Sequence, residues 1–93
     1  MDENQLVTQS YVLLDQTKEF TLEYYLYYQF DLNGTKKYGI TVLEKCEDEV
    51  ISESAIVSEN EDMVIKLIHL FAKNFVFPCS VNEILSDLKL VNC

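Results

Sequence analysis

Ninety-three residues with 48 % hydrophobic and 12 % aromatic content suffice for one packed domain and are too apolar for a disordered chain. Seven Lys and Arg against sixteen Asp and Glu leave a net charge of −9, a field that repels nucleic acid phosphates and anionic membrane surfaces and suits a basic protein partner. Two glycines and one proline leave most of the chain for regular structure.

Residues 6–14, rich in Val, Thr, Tyr and Leu, read as a first strand, and residues 1–5 ahead of it are expected to be disordered. Residues 21–31 follow after a polar stretch. Leu22, Tyr24, Leu26, Tyr28 and Phe30 share one parity there, and this aromatic alternation favours a strand over a helix. A two-residue turn at Asn33-Gly34 would set Leu26 against Thr41 and Phe30 against Lys37. A three-residue loop with Gly34 in the left-handed region sets Tyr24 against Val42, Leu26 against Ile40 and Tyr28 against Tyr38. A one-residue slip turns every side chain to the other face, so the apolar match selects the three-residue loop. Residues 35–45 are then the third strand, and the acidic run at 46–49 leads to a fourth at 50–57.

Two helices follow. Ser58-Glu59-Asn60-Glu61 has the Ser-x-x-Glu spacing of a capping box, and Val64, Leu67, Ile68 and Phe71 recur at helical spacing behind it. Asn74 is the expected left-handed stop. An apolar, extended link at 75–79 precedes a second box, Ser80-Val81-Asn82-Glu83, and a second stripe of Val81, Ile84, Leu85 and Leu88. The expected fold is a single α+β domain over residues 1–93. An antiparallel meander of three to four strands is covered on one face by two C-terminal helices. The covered face carries Tyr24, Leu26, Tyr28, Ile40 and Val42.

The order of these features, from Tyr24-Tyr25-Leu26 through Lys37-Tyr38-Gly39-Ile40 to the helix ending Ala72-Lys73-Asn74 and the short helix after Pro78 with its Asp87, resembles a family of small clostridial and related Firmicutes proteins, a domain of unknown function. The resemblance covers roughly residues 20–90 and departs from the family around Phe77 and Cys79, which are less polar here. It implies a bacterial cytoplasmic setting and carries no catalytic residue across.

No catalytic set emerges from the residues themselves. His69 is the single histidine and falls on the polar side of its helix with Asp62, Lys66 and Lys73, so no triad and no histidine-based metal site can be built. Cys79, ahead of a helix start, is the one cysteine placed for a stabilised thiolate, and its apolar neighbours instead make it a buried, inert thiol. Glu44, Glu47, Asp48 and Glu49 form a solvated turn without the spacing of a calcium loop. Neither a cofactor nor a metal is expected. The start Met1-Asp2-Glu3 lacks the basic and apolar regions of a signal peptide, and Cys46, Cys79 and Cys93 make no CxxC, which suits a reducing cytoplasm.

The chain therefore reads as a non-enzymatic interaction or regulatory module that binds a protein partner or itself, and neither nucleic acid nor membrane. Its expected surface is the face of the central hairpin turned away from the helices, with Tyr25 and Tyr27 beside Thr41 and Leu43. Covering of that face by the N-terminal strand or by the link at 15–19 is the competing arrangement. Two other functions compete: an acidic mimic of DNA that inhibits a basic protein, and a small enzyme using Cys79.

Overall fold

The computed structural model describes residues 3–13, 19–47 and 49–88 of the chain. Strands β1 (Glu3–Leu13), β2 (Glu19–Phe30), β3 (Lys36–Cys46) and β4 (Glu49–Ser58) precede helix α1 (Glu61–Lys73), a 3-10 turn (Pro78–Ser80) and helix α2 (Val81–Asp87). The strands form one antiparallel sheet in the order β1-β2-β3-β4. This is the expected α+β meander with two helices after it, and the first strand takes the edge beside β2.

The central register is the one chosen by apolar matching: Tyr24 faces Val42, Leu26 faces Ile40 and Tyr28 faces Tyr38. Asp31 builds the loop that sets it. Its carboxylate Oδ1 accepts from the Asn33 and Thr35 amides, both at 2.9 Å, and its carbonyl accepts from Gly34 at 3.0 Å. Gly34 supplies the left-handed φ of 81°. These amide donors, Thr35 first, and the nearby Lys37 hold the Asp31 carboxyl below the ordinary carboxylate range.

β1 begins at Glu3 rather than Leu6, because residues 3–5 pair with Leu26 to Tyr28. A polar sequence does not bar an edge strand, whose backbone pairs whatever its side chains are. A bulge at Val7 shifts this register, and Val7 packs half-buried against the core. The connection at 15–18 and Cys93 lie outside the described residues.

Phe20, Leu22, Tyr24 and Leu26 from β2 and Ile40 and Val42 from β3 meet Val64, Leu67, Ile68 and Phe71 of α1 and Val81 and Leu85 of α2 in one core. Each such buried side chain contributes roughly 1.5–3 kcal/mol. Tyr24 is wholly buried, and its hydroxyl donates to the Val76 carbonyl at 3.1 Å, joining the sheet to the link behind α1. Burial pushes its phenol up to about 12. The Phe20 and Phe77 rings, 5.1 Å apart, fix the same link to β2.

Four local expectations need correction. The cap of α1 is Asn60, whose side chain accepts from the Met63 amide at 3.0 Å, while Ser58 caps only the turn before it by accepting from the Asn60 amide. β4 runs on through Ser58, so the helix starts two residues later than the Ser-x-x-Glu spacing suggests. Ser80 makes no side-chain cap bond: Pro78 opens a 3-10 turn that already places Ser80 in the helical region, at φ −98° and ψ −9°. At the end of α1 the left-handed residue is Phe75, at φ 53°, and not Asn74. Val76 and Phe75 donate to the Phe71 and Ala72 carbonyls at 3.1 and 3.2 Å, the two bonds of a Schellman stop. Finally, Tyr28 is only half-buried, although expected under the helices. Thirteen helical residues of α1 span about 20 Å, whereas the twelve of β2 span about 40 Å, so one end of the ribbon outruns its cover.

Candidate functional site

The even-numbered face of β2 and β3 shares one core with both helices. Helix α1 lies against all four strands, α2 against β4 and the 3-10 turn against β3 and β4, and among the described residues no helix lies over the opposite face. On that outer face the register aligns Tyr25 with Thr41 and Ser54, Tyr27 with Gly39 and Ile56, and Glu23 with Leu43 and Ser52. The four expected residues, Tyr25, Tyr27, Thr41 and Leu43, are therefore brought together on neighbouring strands.

Their exposure is less than the sequence implied. Tyr25, Tyr27 and Leu43 are half-buried, and Thr41 is only 7 % exposed. Each phenol lies along its own strand. Tyr25 donates to Glu23 Oε1 at 2.7 Å, and Tyr27 donates to Gln29 Oε1 at 2.9 Å. Thr41 Oγ1 and Ser54 Oγ, 2.7 Å apart, share a hydrogen bond across β3 and β4. Lys45 Nζ stands 3.4 Å from both Glu23 carboxylate oxygens. The hydrogen bond to Glu23, with burial and the adjoining negative charge, raises the Tyr25 phenol above its ordinary value.

The outer face is thus a pavement of two aromatic rings whose polar ends are satisfied within the sheet. Such a surface can be covered by a partner without stranding a hydroxyl, and it holds its side chains in place before contact. Glu23, Gln29, Lys45 and Ser54 were missed from sequence. Glu23, Gln29 and Lys45 share the parity of the tyrosines, and extending that parity along β2 and β3 finds all three. Ser54 required the β3–β4 register.

Gly39 sits in this face for a steric reason. A Cβ there would collide with the Ala55 carbonyl oxygen and lie 2.8 Å from the Ala55 carbonyl carbon and Ile56 Cα. β4 approaches so closely beside its bulge, where the register shifts between Tyr38 and Gly39.

Cys79 is exposed and not buried, because the 3-10 turn directs its neighbours Pro78 and Val81 inward instead. His69 is exposed on α1, on the polar side that the spacing indicates. Among the described residues, no three His, Cys, Asp or Glu side chains converge to hold a metal ion, and no helix is long and apolar enough to cross a membrane.

Among known families, the model of one described as a family of unknown function (DUF6514) matches residues 3–90. The match takes in the first strand, which the resemblance over the later part of the chain left out. Neither a curated protein nor a solved structure matches.

Proposed function

We propose that this chain, which belongs to that family of unknown function, is a non-enzymatic protein-interaction module acting through the outer face of its sheet. One observation carries the reading: among the described residues the helical layer lies on the other side, and the centre of the outer face holds two preorganised tyrosines, Tyr25 and Tyr27. Tyrosine presents a large contact area at low entropic cost, so such a pair serves as an interface anchor. Thr41 and Leu43 complete the contact surface beside them. The first partner to consider is a second copy, because two such sheet faces can pack on each other as the layers of a sandwich. The free thiols of Cys46 and Cys79 support a reducing, cytoplasmic setting.

The test is light scattering on a sizing column, with reductant, at low and high salt. The reading expects a salt-resistant dimer that the Y25S/Y27S variant loses while keeping its far-UV circular dichroism. A wild-type monomer at high concentration refutes self-association. Association unaffected by the double substitution removes this face from consideration. Binding to a basic protein that weakens steeply with salt instead favours the acidic-mimic function, which works by charge.

A further inference from the structure

Residues 29–37 project as a two-stranded arm. Among the described residues, β1 pairs with β2 only as far as Tyr28, and β4 pairs with β3 only as far as Tyr38. On the inner face at the root of the arm, Tyr28, Phe30 and Tyr38 gather around one cation, with Tyr38 still packed against the core. The Tyr28 ring meets Phe30 edge-on at 6.0 Å and tilts toward Tyr38 at 6.4 Å. Lys36 Nζ lies 4.1 Å from the Tyr28 ring centroid, 5.3 Å from that of Tyr38 and 6.0 Å from that of Phe30. Phe30 is still 51 % exposed, and Leu32 at the tip is fully exposed.

This is a cation-binding arrangement of ring faces, and the chain fills it with its own ammonium group. Lys36 is replaceable. It reaches the rings on a flexible stem, and among the described residues no carboxylate pairs with it, whereas the adjacent Lys37 stands 3.8 Å from Asp31. We propose that the arm is a docking site for a basic segment of a protein partner, whose Arg or Lys side chain displaces Lys36 from the Tyr28, Phe30 and Tyr38 faces. The stem of the incoming side chain then lies on Phe30 and Leu32, apolar surface that nothing in the described chain covers. Charge selects this occupant. A net charge of −9 draws a basic segment toward the molecule and repels an anionic lipid surface, the other environment suited to exposed Phe, Leu and Lys side chains. The site is separate from the outer face and does not depend on it.

The experiment is an NMR titration with a flexible Gly-Ser peptide carrying two arginines, against the same peptide with citrulline in their place. In the free protein the Lys36 Hε resonances are expected upfield of their unstructured position, shielded by the rings, and the arginine peptide moves them back while shifting the Tyr28 and Tyr38 ring signals. Citrulline, which lacks the charge, has no effect. K36A removes the internal competitor and tightens peptide binding about two- to fivefold. F30A, at a half-exposed position the core does not need, weakens it by a similar factor. Unshifted Lys36 resonances in the free protein overturn the proposal, as does an equal response to citrulline. So does binding lost in Y25S/Y27S but retained in F30A, or attachment to phosphatidylserine vesicles with no response to the peptide.

Discussion

Replacing Tyr24 with Phe removes one oxygen from the centre of the molecule and tests how the helical layer is held to the sheet. The hydroxyl donates to the Val76 carbonyl at 3.1 Å, in a site where Tyr24 is wholly buried. Leaving that carbonyl without its donor costs about 1–3 kcal/mol. The variant should therefore be less stable than wild type by that amount at pH 8. The same hydroxyl gives the effect a pH signature. Its pKa is about 12 in the folded protein against the ordinary 10.0. A raised folded pKa means that the stabilisation is complete below pH 10 and is lost as the pH rises toward the folded value, because the unfolded chain releases its proton first. At pH 11, midway through this window, the wild type gives up about 1.4 kcal/mol of its lead over Y24F. The other tyrosines are common to both proteins and cancel in the comparison. Urea unfolding followed by far-UV circular dichroism at pH 8 and pH 11 measures both differences. Equal stabilities at pH 8, or a lead that does not shrink by pH 11, would refute the buried sheet-to-link hydrogen bond.

Two further substitutions probe the sheet. Gly39→Ala drives a methyl group against the backbone of β4, which cannot rotate away as a side chain can. The expected loss is roughly 2–3 kcal/mol, read as a thermal midpoint lower by about 10–20 °C. An unchanged midpoint would mean that β4 stands farther from β3 than this close approach requires. Glu47→Asn tests the opposite sign. Cys46 pairs directly with Glu49, and Glu47 in the turn between them has φ 54°, a left-handed conformation that Asn adopts more readily than Glu. Stability should rise by about 0.5–1 kcal/mol in the same urea experiment, and a loss would show that the turn gains nothing from a left-handed residue.

The central hairpin is legible in the sequence because the apolar pattern decides between two turns that Asn33-Gly34 allows. Only the three-residue loop, with Gly34 left-handed, sets Tyr24 against Val42 and Leu26 against Ile40. The stripe of Val64, Leu67, Ile68 and Phe71 likewise names the buried side of α1, since helical periodicity alone carries that information. The candidate face follows from strand parity: alternation along β2 and β3, with the hairpin register, is enough to group Tyr25, Tyr27, Thr41 and Leu43. Helix starts are less legible. Ser58 and Asn60 can both cap, and the choice falls to how far β4 extends.

What only the tertiary structure decided is where one element stops covering another. Periodicity places Tyr28 and Leu26 on the same face, and yet one is half-buried and the other buried, because a helix advances less than half as far per residue as a strand. That mismatch leaves Phe30 exposed and Tyr28 half-buried, with Lys36 against them. In the same way, the apolar neighbours of Cys79 suggested a buried thiol, but the 3-10 turn buried Pro78 and Val81 and turned Cys79 outward. Side-chain pattern assigns a residue to a face, and burial depends on the lengths and crossings of elements far away in the chain.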